Sequence, residues 1–254
     1  MSATLANMNS EPEAQDDIAD RLFSALQEDE FVLYSQSIVS FDPQTDPRAF
    51  NEIFVRFQEE DANLLPPGSF FPVLEEAGML PYLDRWVVNR LARFVRAGLK
   101  VNPDWDVPRY NVNLSDETLA DEEFGAYVLQ YAEDSYLSGG VLGFDISCES
   151  AMANRESLRN LMEELRPHGC SLTVAGFDGS DASLAELKTL EPDYVKISAT
   201  TVDPAKVSEI NRMCHELGAQ TIAEHVEDSQ VLDHFRRCKI DFGQGFELAK
   251  VEPL

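Results

Sequence analysis

Residues 142–226 read LGFDISCESAMANRESLRNLMEELRPHGCSLTVAGFDGSDASLAELKTLEPDYVKISATTVDPAKVSEINRMCHELGAQTIAEHV. Four short apolar runs stand out: Leu142–Ser147, Leu172–Phe177, Tyr194–Ile197 and Thr221–Val226. They have strand length and strand composition. Between them, Ala151–Leu165, Ser183–Leu190 and Pro204–Leu217 place apolar residues at three- and four-residue intervals, the period of an amphipathic helix. Strands alternating with helices form a parallel sheet, because each parallel neighbour is reached through a crossover.

The alternation extends in both directions. A helical pattern at Ser229–Cys238 and a short strand near Phe242 follow. Upstream come a helix at Glu117–Ala132, a strand at Tyr110–Leu114, helices at Tyr82–Ala97 and Phe70–Ala77, and a Pro-Gly loop at Leu64–Gly68. Phe31–Val39 and Asn51–Phe57 are strands joined by SFDPQTDPRA, which is too short and turn-rich for a crossover helix, so they form a hairpin. Asp17–Glu28 repeats Ile18, Leu22, Phe23 and Leu26 at helical spacing. Residues 1–16 are polar and acidic without period and are expected to be a disordered tail or linker, leaving one domain over 17–254. About eight strands in this order predict an α/β fold, a TIM-like (βα)8 barrel with an irregular, hairpin-connected first strand. An open doubly wound sheet is the alternative, and it lacks the GxGxxG or GxxxxGK[ST] loop expected after an early strand.

The chain has 254 residues, 44% hydrophobic, enough for a full core. Its 20 Lys and Arg face 46 Asp and Glu, a net charge of −26. That balance excludes a basic face for DNA or RNA and a polybasic surface for anionic lipid. No apolar run is long enough to insert in a membrane. The N-terminal stretch is not a secretory signal. Cys148, Cys170, Cys214 and Cys238 are widely spaced, with neither zinc nor disulfide patterning, as expected in a reducing cytoplasm.

In a parallel barrel the functional site gathers at the carboxyl ends of the strands. Polar residues in or just after otherwise apolar strands are Glu52, Asn113, Asp145, Lys196, Glu224 and Gln244, with Gln36 and Arg56 in the first hairpin. Each is costly to bury unless paired. Three carboxylates, two amides and one lysine at one mouth suit a hard divalent cation beside an anionic substrate. His168, His215 and His234 read as surface or core residues, and the clusters Glu59-Glu60-Asp61, Asp121-Glu122-Glu123 and Glu163-Glu164 as solvated faces.

Seven segments, taken in order, resemble the EAL-type cyclic-di-GMP phosphodiesterase domain. LYSQSIV is similar to YYQPIV, NEIFVRF to the E-A-L-L-R signature, and PPGSFFPVLEEAGMLPYLDRWVV to P-x-x-FIPLAEE-x-G-x-I-x-x-LD-x-WV. VNLS, PDYVKIS, IAEHVE and GQGF match V-N-L-S, D-x-V-K-I-D, I-A-E-G-V-E and the Q-G-Y motif. The resemblance implies a barrel and a site that opens the cyclic dinucleotide with two Mg²⁺ or Mn²⁺ ions. It would make Glu52, Asn113 and Asp145 ligands of the first metal and Glu224 a ligand of the second. Lys196 and Gln244 would belong to the reacting pocket, Gln36 could hydrogen-bond to a phosphate of the dinucleotide, and Arg56 would contact one.

The departures carry as much information. Active members have D-D-F-G-T-G after the fifth barrel strand, and here those two aspartates are Ala175 and Gly176. Asp178 comes two residues later, and only a local slip would bring it to the vacant position. The fourth residue of E-I-T-E is Cys148, Asp145 replaces the usual Glu of a metal ligand, the Leu of the signature is Phe54, the Asp of K-I-D is Ser198, and the Gly of E-G-V-E is His225. A two-metal site needs a bridging oxygen ligand. Hydrolysis is therefore expected to be absent or very weak, with at most one Mg²⁺ or Mn²⁺ held. The expectation is a non-hydrolysing cyclic-di-GMP receptor acting on a protein partner. The alternatives are a ligand-independent protein regulator and a residual metal-dependent phosphodiesterase. Family members often pair through flanking helices, so a homodimer is also expected.

Overall fold

The computed structural model describes residues 12–42, 48–58, 64–135, 137 and 140–254. The start of the expected tail, the middle of the hairpin connection and the Glu59-Glu60-Asp61 cluster lie outside the described residues.

The strands are β1 (Phe31–Ser37), β2 (Val39–Ser40), β3 (Phe50–Gln58), β4 (Leu64–Leu65), β5 (Arg109–Asn113), β6 (Leu142–Ser147), β7 (Ser171–Ala175), β8 (Tyr194–Ser198), β9 (Gln220–Glu224), β10 (Phe242–Gly243) and β11 (Glu252–Pro253). The helices are α1 (Pro12–Gln27), α2 (Phe71–Glu76), α3 (Leu80–Val101), α4 (Asp116–Leu119), α5 (Phe124–Ser135), α6 (Cys148–Ala153), α7 (Arg155–Leu165), α8 (Asp181–Leu190), α9 (Val207–Glu216) and α10 (Ser229–Arg237).

From β3 through β5, β6, β7, β8 and β9 to β10, neighbouring strands pair in parallel. The first strand closes the circle. Its β1 half pairs antiparallel with β3, and its β2 continuation pairs antiparallel with β10. This is the TIM-like barrel with a hairpin-connected first strand. The short β11 adds an outer edge to β1, and β4 adds one to β3.

Helices cover the outside. α3 buries Leu80, Leu83, Val87, Val88, Leu91 and Val95 along one stripe, and α7 buries Leu158, Leu161, Met162 and Leu165. Strands buried on both faces are near-continuously apolar. In β6 and β8 the polar exceptions, Asp145 and Lys196, are the inward-facing residues. At the amino ends of the strands the interior is closed by Phe50, Tyr194 and Phe242, with ring centroids 5.1–6.1 Å apart. The Arg109 guanidinium lies 4.8 Å from the Phe50 ring and donates to Tyr194 Oη at 2.6 Å. The polar interior therefore opens only toward the carboxyl ends. One layer below the mouth, Gly143 leaves room for Asn111, whose Oδ1 would lie 2.5 Å from a Cβ there.

Several boundaries differ from those expected. α1 starts at Pro12 instead of Asp17, so part of the presumed tail is helical. The single helix expected over Glu117–Ala132 is two, because Asp121 accepts from the Glu123 amide and makes a turn between them. The helix expected from Ala151 begins at Cys148, where Ser147 caps the Ser150 amide. β7 and β9 end earlier than expected, where Gly176 and His225 turn into the left-handed region at φ +75° and +57°. The described cysteines are all free thiols, Cys148, Cys170 and Cys214 being buried. No described helix is long and apolar enough to cross a membrane.

Candidate functional site

Alternation along each strand aims Gln36, Glu52, Asn113, Asp145, Lys196, Glu224 and Gln244 into one mouth. Lys196 is their hub. Its ammonium is 2.6 Å from Glu52 Oε2, 2.5 Å from Asp145 Oδ2 and 3.6 Å from Glu224 Oε1, and only 2% of the side chain is exposed. Glu52 also accepts from Asn113 Nδ2 at 2.9 Å and from Gln244 Nε2 at 2.7 Å. Gln244 Nε2 lies 3.2 Å from Gln36 Oε1, and Gln36 Nε2 donates to the Ala249 carbonyl at 2.9 Å.

The charges follow from this arrangement. Burial alone would raise the Glu52 carboxyl, but the Lys196 charge and the three hydrogen bonds it accepts hold it below the usual range. Asp145 is pushed up to about 7, because burial and the Glu52 charge outweigh the pull of Lys196. Lys196 loses stabilisation to burial, yet the surrounding carboxylates raise its affinity for the proton. A buried Lys⁺ facing an ionised Glu52 is the stable core of the site. Asp145 Oδ2 touches the ammonium without accepting an aligned hydrogen bond, an orphaned oxygen in an otherwise satisfied cluster.

Does a metal centre fit? The oxygen donors have the right chemistry for a hard cation. However, the ammonium already occupies the point where Glu52 and Asp145 converge. Among the described residues, no group of three His, Cys, Asp or Glu could hold a metal ion. At the end of β7, Ala175 and Gly176 offer no ligand. Asp178 has not slipped into their place. It is exposed, and its Oδ1 accepts from the Ser180 amide at 2.9 Å and the Ser183 hydroxyl at 2.6 Å, ordering the entry to α8. Those bonds, that of Ser183 foremost, lower its pKa to about 2. The residues present do not fit a two-metal centre.

Arg56 stands apart from the hub. It is four residues beyond Glu52 on the same face of β3, about 13 Å farther along the strand. Its guanidinium lies 5.7 Å from the Tyr34 ring and 5.9 Å from the Phe54 ring, and it donates to the Val55 carbonyl. Phe54, the altered signature residue, thus supplies one of two aromatic faces beneath the arginine. Cys148 is no activated thiolate: burial, then Asp178 and Glu186, push its thiol up.

His225 is exposed in the left-handed region, which costs a side chain with a Cβ about 1–2 kcal/mol. Its Nδ1 lies 3.3 Å from Ser198 Oγ, so two of the departures meet. Sequence reasoning missed Asp84. It is buried in α3, and its Oδ2 accepts from Ser115 N, Ser115 Oγ and Thr118 Oγ1 at 2.6–2.9 Å. It thereby anchors the turn after Asn113, while burial raises its pKa. The signal was available: an aspartate inside the apolar stripe of a helix.

The model of one family, described as the EAL domain, matches residues 19–251. Cyclic di-GMP phosphodiesterase PdeB of Shewanella oneidensis is 27% identical over 242 residues, 92% of this chain and 28% of its own length. Cyclic di-GMP phosphodiesterase PdeF of Escherichia coli is 26% identical over 252 residues, 95% of this chain and 33% of its own length. The chain thus spans no more than a third of these curated relatives. The FimX EAL domain from Pseudomonas aeruginosa, solved bound to c-di-GMP, superposes with a TM-score of 0.81 at 21% identity, over 93% of this chain and 96% of that one. That likeness carries the barrel itself. With the family model spanning the barrel from α1 to the strand end beyond Gln244, this chain belongs to the EAL domain family.

Proposed function

We propose that this domain is a cyclic-di-GMP receptor that binds the dinucleotide without hydrolysing it and relays its presence to a protein partner. The observation that carries the reading is the Lys196 ammonium among Glu52, Asp145 and Glu224. It supplies the positive charge that the carboxylates need, so the mouth is electrostatically settled with no metal. Ala175 and Gly176 remove the bridging ligand that activation of a water between two cations requires. Arg56, braced on Tyr34 and Phe54, retains a cation for a phosphate at the rim.

Titration calorimetry with cyclic-di-GMP tests this, run with Mg²⁺, with Ca²⁺ and with chelator, followed by chromatography of the recovered nucleotide. Binding in chelator with intact nucleotide is expected, and Arg56→Ala weakens it. Linear product in the Mg²⁺ sample overturns the non-hydrolysing reading in favour of a residual phosphodiesterase. Silence up to about millimolar, roughly −4 kcal/mol, overturns the receptor. The second reading, a ligand-independent protein regulator, draws on Phe246, two residues past Gln244 and 64% exposed. We place the domain in the cytoplasm, where its ligand is made, and expect it to pair as a homodimer.

A further inference from the structure

At the rim beyond the hub, Ser198, Thr200 and His225 form a small hydrogen-bonded group that the lysine–carboxylate cluster does not use. Ser198 ends β8 directly across from Glu224, which ends β9. Ser198 Oγ accepts from the Thr200 amide at 3.3 Å and lies 2.9 Å from Thr200 Oγ1 and 3.3 Å from His225 Nδ1. Ser198 is buried, whereas Thr200 and His225 are exposed.

The Thr200 amide donates to Ser198 Oγ, and either hydroxyl of the Ser198–Thr200 pair can donate to the other. When Thr200 gives its hydroxyl hydrogen to Ser198, Ser198 gives its own to His225 Nδ1, and the imidazole hydrogen then sits on Nε2, since the bond made by one imidazole nitrogen sets the state of the other. That arrangement satisfies every member of the group and keeps a second donor on the exposed imidazole.

The backbone adds an independent argument. His225 holds φ +57°, a conformation that glycine adopts without strain. Strained backbone at the end of a barrel strand, beside a ligand mouth, points to a side chain placed there for contact. The neighbourhood decides what that contact is. The adjacent end of β7 has Ala175 and Gly176 and adds no carboxylate, Glu224 beside His225 is turned toward the Lys196 ammonium at 3.6 Å, and no described cluster of His, Cys, Asp and Glu could hold a metal. An imidazole N–H donor in such a place meets an acceptor, and the strongest is an anionic oxygen.

We infer that His225, oriented by Ser198 and Thr200, is a phosphate-oxygen donor on the β8–β9 rim, opposite the hairpin that carries Arg56, so that the two grip different phosphodiester groups of one cyclic dinucleotide. This rests on the receptor reading above.

The test is cyclic-di-GMP affinity in chelator for the wild type, His225→Gly and Ser198→Ala, with the side-chain ¹⁵N resonances of His225 followed by NMR. His225→Gly should bind about tenfold or more weakly, the loss of one hydrogen bond to a charged group. It should melt no lower than the wild type, because glycine relieves the left-handed backbone. Ser198→Ala should weaken binding less. In the wild type, the protonated Nε2 signal should shift on addition of the dinucleotide. Wild-type binding with an unchanged His225→Gly affinity and an unmoved imidazole overturns this inference and leaves the receptor intact. No wild-type binding overturns both.

Discussion

Lys196→Met removes the one cation at the centre of the mouth while keeping the length of its side chain. Glu52 and Asp145, 5% and 3% exposed, would be left as neighbouring buried acids without a counter-charge. Removing one partner of a buried ion pair costs about 3–5 kcal/mol. For a chain of this size each kcal/mol moves the melting temperature by about 2–4 °C, so the expected loss is roughly 6–20 °C. The sign with pH is set by linkage. Without the ammonium, the folded-state carboxyls sit above their unfolded values, so the native state binds more protons and stability falls as pH rises from about 4. The deficit is therefore larger at pH 8 than at pH 5. The vacated point would also be ringed by oxygen donors from Glu52, Asp145 and Asn113, the ligand set of a hard divalent cation. Mg²⁺ or Ca²⁺ at a hundredfold excess over its dissociation constant should return about 2.7 kcal/mol to the variant and nothing to the wild type. Differential scanning calorimetry at both pH values, with and without the metals, measures all of this. A variant melting within about 2 °C of the wild type at pH 8 in chelator would refute the claim that the ammonium neutralises this cluster.

Two further outcomes follow from the rebuilt loop after β7. Asp178→Ala should cost about 1 kcal/mol, the size of a lost cap, since it ends the bonds to Ser180 and Ser183. Because the Asp178 pKa is held down at about 2, its contribution is present above the ordinary carboxylate value and lost as pH falls through 2. Acid-unfolding curves of the variant should accordingly be flatter below pH 4, and superimposable curves would contradict the assignment. The double substitution Ala175→Asp with Gly176→Asp should raise Mn²⁺ affinity at least tenfold by calorimetry. Position 176 has open space for a Cβ, and aspartate tolerates its φ of +75° better than most residues. Identical isotherms for the double variant and the wild type would show that ligands at the end of β7 are not what the site lacks.

Much of this architecture could be read before any coordinates. The inward residues of β3, β5, β6, β8 and β9 were recognisable because a charged or amide side chain inside an apolar run is conspicuous at period two. The antiparallel start was legible from the length of the connection after Val39. Helix boundaries were less so. The pattern over 117–132 carries apolar residues at helical spacing on either side of Asp121-Glu122-Glu123, and the Asp121 turn divides it. The strand extensions β4 and β11 are two residues each, too short to have any period. Asp84 escaped notice because its two partners, Ser115 and Thr118, lie more than thirty positions away, beyond β5.

The sequence by itself determined the barrel, its hairpin start, the strand ends that carry polar groups, and the absence of acids at 175 and 176. Those are consequences of local period and composition, which each segment carries alone. Only the tertiary structure decided that an ammonium stands where Glu52 and Asp145 meet, that Asp178 is spent on its own helix, and that His225 leans on Ser198. Lys196 and Glu52 are 144 positions apart, and Gln244 and Glu52 are 192. Which atoms meet across such distances depends on the closure and register of the whole barrel, and no local pattern of residues encodes that.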